Sequence, residues 1–132
     1  MSVPCEVAVK CVLPVVRAMV ARELMASHGL RQVEAAKLLG VSQPAISLYY
    51  RNIRGKAIDL ENDRDVERLV KQISESLVKG GSSHRDLIVM YCQVCRTIRA
   101  KGLLCELHKA FDPLIDIDKC ELCGASESVR CL

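Results

Sequence analysis

Apolar positions recur at helical spacing through most of this chain. Val12, Val15, Val16, Met19, Val20 and Leu24 fall on one side of a 3.6-residue repeat, which predicts an amphipathic helix over about 13–27. Pro14 suits its first turn, and Gly29 lies just past its end. Two short helices are expected near 32–39 and 43–51, with Gly40 between them. Arg54-Gly55-Lys56 makes a basic turn. Asn62 or Asp63 then caps a helix carrying Val66, Leu69, Val70, Ile73 and Leu77 on one face. The Gly-Gly-Ser-Ser stretch at 80–83 interrupts the pattern and reads as a linker. Beyond it Leu87, Tyr91, Val94 and Ile98 mark a helix ending near Gly102. A short helical piece over 103–111, a turn at Asp112-Pro113 and a short apolar stretch lead to Cys120. The expected fold is mainly α: a helical domain over 1–80, then a small cysteine-rich module over 84–132.

Composition sharpens this picture. Half of the 132 residues are apolar, yet Phe111, Tyr49, Tyr50 and Tyr91 are the only aromatics. An aliphatic core of packed helices suits that better than a β-sandwich. The net charge is +3 but unevenly spread. Residues 31–56 hold five basic groups, Arg31, Lys37, Arg51, Arg54 and Lys56, against one acid, Glu34. Residues 57–132 hold eleven basic and thirteen acidic groups. A positive field concentrated on one short segment is what a phosphate-facing surface requires. The apolar run over 7–20 contains Lys10 and Arg17, lacks a small-residue cleavage site, and does not read as a secretory signal. No segment has the roughly 20 apolar residues of a membrane helix. A cytoplasmic location is expected, where thiols stay reduced, so eight cysteines point to metal or redox chemistry more than to a disulfide scaffold.

The most informative stretch is QVEAAKLLGVSQPAISLYYR, residues 32–51. Ala36 is small where two helices would cross, Gly40 sits at the turn, and Val41 follows as a buried plug. Ser42 caps the second helix, which carries Ile46 and Tyr49 inward. This is a helix-turn-helix pattern, whose second helix enters a DNA major groove. Residues 13–79 resemble the Cro/Xre type of domain found in phage repressors and many prokaryotic regulators. Ala36, Leu39, Gly40, Val41, Ile46 and Tyr49 carry the likeness, with Gln32 and Gln43 opening the two helices as in many members. The resemblance implies that Ser42, Gln43, Ser47 and Leu48 face the groove. A glutamine amide either pairs with adenine or braces a neighbour and contacts phosphate. Arg31, Lys37, Arg51, Arg54 and Lys56 become the phosphate-contact candidates. Such domains usually act as homodimers on double-stranded DNA, with half-sites about 34 Å apart. The dimer face could be the N-terminal helix or the C-terminal module.

The cysteines form a second constellation. Cys92-x2-Cys95, nine residues, Cys105-x2-His108, eleven residues, Cys120-x2-Cys123, then Cys131, place three x2 pairs within 32 residues. The x2 spacing lets two donors converge on one ion, and Gly124 relieves crowding after the last pair. Cys92, Cys95, Cys120 and Cys123 would complete a zinc tetrahedron, and Cys105 with His108 could replace either pair. The excess of sulfur also suits an iron–sulfur cluster held by four cysteines. Cys92 and Cys95 fall on an expected helix, a looser geometry than a zinc knuckle, which favours the larger object. The whole arrangement, beginning at Pro4-Cys5-Glu6, is similar to archaeal transcription regulators that join an Xre-type domain to a cysteine-rich tail. With iron bound, that resemblance implies a sensor of redox or iron–sulfur status.

Cys5 reads either as a plain N-terminal thiol or as a link between the first helix and the cluster, and Cys11 as a buried small hydrophobe. His28 and His84 read as surface residues. No catalytic set assembles: there is no phosphate-binding glycine loop, the acids are dispersed, and the Cys-x2-Cys pairs lack the strand-to-helix setting of thiol oxidoreductases. A regulator is therefore expected rather than an enzyme. The competing readings are a DNA-binding protein with purely structural zinc, and an adaptor using both halves for protein contacts.

Overall fold

Helix α2, Leu13–Ser27, is the centre of the packing, with Val15, Val16, Ala18, Met19, Val20, Ala21 and Leu24 all buried. The computed structural model describes residues 3–52, 54–120 and 123. Those residues are mainly helical and contain no strand. A helix buried on so much of its circumference must be covered from several sides. Helices α3 (Gln32–Leu39), α4 (Gln43–Tyr50) and α5 (Arg64–Lys79) all pack against it. Helix α6 (His84–Ala100) packs on α5, and α7 (Cys105–Phe111) reaches α1 (Pro4–Val7).

The chain is helical well before the expected start at 13. Helix α1 begins at Pro4, where the Glu6 carboxylate accepts the Val3 N–H at 3.0 Å. A π-helical segment, Ala8–Val12, joins it to α2. Pro14 explains the widening. Its ring would meet the carbonyl four residues back, at Lys10, in a regular helix, and an inserted π-turn relieves that crowding. Val7, Ala8, Cys11 and Val12 are buried and extend the apolar stripe of α2 toward the N-terminus.

After α4 the chain turns back over α2. Asn52 adopts φ 58° and Gly55 φ 73°. A Cβ on Gly55 would lie 2.7 Å from both the Ala18 Cβ and the Pro14 carbonyl oxygen, so the basic turn needs glycine both for its conformation and for its approach to α2. Leu60 then enters the core.

Asp63, one of the two expected caps, accepts the Asp65 and Val66 N–H groups at 3.1 Å each. Residues 80–83, whose composition suggests a linker, form a turn between α5 and α6. Gly80 closes α5 in the left-handed region, and Ser83 and Asp86 cap α6 reciprocally at 3.1 and 3.2 Å. Lys101, just past α6, bridges to Asp63 at 2.9 Å and also to Asp65, tying the open end of this helix pair. Val66, Val70, Ile73 and Leu77 of α5 and Val94 and Ile98 of α6 are buried within a core that runs from Val7 to Leu104. No helix among the described residues is long and apolar enough to cross a membrane.

Candidate functional site: the α3–α4 face and the thiol cluster

Helices α3 and α4 meet across three residues. Gly40 takes φ 67°, and the Val41 N–H returns to the Ala36 carbonyl at 3.1 Å. Ser42 Oγ accepts the Ala45 N–H at 3.2 Å and starts α4. Ala35, Ala36, Ala45, Ile46 and Tyr49 are buried, so small residues let the two helices approach while Ile46 and Tyr49 hold α4 to the core. Val41, expected as a buried plug, is only half-buried against that core, because it lies in the exposed turn between Gly40 and Ser42. Arg22, which carries no motif signal, fixes the far end of α4. It donates to the Tyr49 carbonyl at 3.4 Å and pairs with Glu61 at 3.2 Å.

The opposite side of α4 is open. Ser42, Gln43 and Pro44 are exposed, and Ser47 and Leu48 are half-exposed. The Gln43 amide donates to Gln32 Oε1 at 2.9 Å, so the two glutamines are bound to each other across the turn. Gln43 keeps its carbonyl oxygen and a second N–H for other partners. Tyr50 closes the helix with 63% of its surface exposed.

Lys37, Arg51, Arg54 and Lys56 are exposed, and none forms an ion pair among the described residues. Arg31 differs. It is held by Glu34 at 2.9 Å, and that bond, with the Arg31 N–H, keeps the Glu34 carboxyl below the ordinary range. The one acid of the segment is thereby paired with Arg31.

The second set of candidates gathers where α6, α7 and the chain after α7 meet. Cys105, His108, Cys120 and Cys123 line one cavity of about 20 Å³, walled by Leu104, Ile115 and Ile117. Burial pushes the Cys105 thiol up, and the nearby Cys123 and Cys120 add to the shift. His108 is 4% exposed. Arg99 is the residue that spacing arguments missed. It is 5% exposed, and its Nε has no hydrogen-bond partner among the described residues. Burial alone would lower its pKa. A hydrogen bond to Cys123 and the proximity of Cys123, Cys5 and Cys95 more than offset that, and the net shift is upward. Cys5 of α1 is thus among the thiols near Arg99. Cys92 is half-buried one helical turn before Cys95 and does not line the cavity. Cys131 and Gly124 lie outside the described residues. Cys11 is buried in the core, His28 caps the end of α2, and His84 is exposed at the start of α6. Among the described residues no three His, Cys, Asp or Glu side chains already converge as a metal site.

No family model, no curated protein and no solved structure matches the chain.

Proposed function

We propose that this chain is a sequence-specific, double-stranded-DNA-binding transcription regulator of the Xre-type helix-turn-helix class, whose thiol-rich C-terminal segment binds a metal. The observation that carries the reading is the Gln32–Gln43 bond on an otherwise open α4 face. A major groove about 12 Å wide admits a helix, and α4 presents Ser42, Gln43 and Ser47 outward while Ile46 and Tyr49 hold it from behind. Bracing Gln43 removes rotamer entropy before binding, so less is lost when its remaining amide groups meet a base edge. Lys37 on α3, Arg51 at the end of α4, and Arg54 and Lys56 in the turn that follows are exposed and supply phosphate contacts that position the domain. Eight residues of α4 span only about 12 Å. A homodimer on two half-sites supplies the groove contact that one such helix lacks. Reduced thiols suit work in the cytoplasm.

Selection of bound duplexes from a random pool tests this reading. The protein enriches a two-fold-related sequence. Gln43→Ala flattens the preference at one base pair of each half-site, a loss of about 1–3 kcal/mol of discrimination. Its affinity for unrelated DNA stays nearly constant. A pool that shows no enrichment, with binding indifferent to salt, rejects the reading in favour of the protein adaptor.

A further inference from the structure

Three x2 pairs allow several ligand sets, and two of those pairs share one cavity. Cys105 and His108 lie one helical turn apart on α7, and Cys120 and Cys123 arrive from the chain that follows it. These four, and no donor of the first pair, line the same cavity. Its volume, about 20 Å³, is on the scale of one water molecule. That suits a single ion. Three sulfurs and one imidazole nitrogen equal the coordination number of a closed zinc site, with a donor mixture that zinc accepts.

We propose that Cys105, His108, Cys120 and Cys123 bind one zinc ion, with Cys5, Cys92 and Cys95 outside the ligand set. The proposal rests on the reading that the thiol-rich segment is a metal module, and it makes the metal zinc rather than a cluster. Binding releases protons from the three thiols, and the donors close on the ion from around the cavity they already line. Zinc with three thiolates and a neutral imidazole carries one net negative charge. Arg99, buried close to these thiols, is the positive charge that would balance it as an outer-shell group. That assignment gives a buried guanidinium an anionic partner, which burial of a charge requires.

The test begins with full-length protein purified without air. One zinc per chain is expected, with neither iron nor acid-labile sulfide. Cobalt substituted for zinc should give the intense visible bands of a tetrahedral site and thiolate-to-cobalt absorption sized for three sulfurs. Cys92→Ser should keep the full zinc content, whereas Cys105→Ser should lose it. Because Cys105→Ser could unfold, the wild-type protein is also alkylated with and without a chelator. Cys105, Cys120 and Cys123 should be protected only when zinc is bound, and Cys92 should react equally in both. Iron with sulfide, a metal-free protein, four-sulfur absorption, or protection of Cys92 would each overturn the assignment. Salt-dependent DNA binding measured on the same preparation separates failure of the zinc site from failure of the DNA reading.

Discussion

Replacing Arg51 and Arg54 together with alanine is expected to weaken binding to all DNA sequences alike, by roughly 50-fold per subunit at 0.1 M salt. Both side chains are exposed beside the end of α4, and neither has an ion-pair partner among the described residues. A cation that neutralises a phosphate releases condensed counterions. The slope of log affinity against log salt should therefore become shallower by about 0.9 for every phosphate left without its cation. Fluorescence anisotropy over a series of salt concentrations reads both quantities. Sequence preference should survive, because phosphate contacts carry register and not identity. Arg31→Ala is the internal comparison. Its guanidinium pairs with Glu34, so its removal also uncovers that carboxylate and should likewise weaken binding to all sequences. An unchanged slope in the double variant would show that this edge of the domain does not meet DNA.

Ile46→Ala is expected to destabilise the fold by about 2–5 kcal/mol, the usual cost of emptying a well-packed aliphatic site. Ile46 is fully buried and is one of the residues that fix α4 to the core. Against the roughly 5–15 kcal/mol that holds a small domain together, the loss is severe. Urea denaturation followed by circular dichroism should show a large fall in midpoint. Ser47→Ala, one residue further on and half-exposed, should change stability by no more than about 0.5 kcal/mol. The pair separates two jobs on adjacent residues. Ile46 holds the helix in place, and Ser47 faces outward. Equal stability in the two variants would mean that α4 is not seated as described.

Much of the helical framework was legible in the residues, because its determinants are local. Gly40, Ser42, Asp63 and Gly80 act through their own backbone and caps, and each stands at a helix boundary. What escaped depends on contacts distant in sequence. The N-terminal helix was missed because Pro14 reads as a start signal, and the π-turn that lets helix continue through it has no sequence signature. The Gly-Gly-Ser-Ser turn has the composition of a spacer, and only the packing of α5 on α6 gives it another role. For the thiols, spacing proposes pairs but cannot choose among them. The choice depends on where α7 and the following chain carry Cys105, His108, Cys120 and Cys123 relative to α6. Arg99 carried no signal, since an arginine on a helix is ordinarily a solvated residue until burial shows otherwise. The Gln32–Gln43 bond lay between these extremes. Bracing was one of two roles open to the glutamines, and only side-chain placement shows that they meet.

An NMR titration of the labelled protein with its selected duplex tests the central claim most directly. Residues 42–51 should show the largest amide shifts and the strongest slowing of solvent exchange, with Gln32 moving alongside Gln43. Shifts centred on α5 and α6, with the amides of α4 unmoved at saturation, would contradict it.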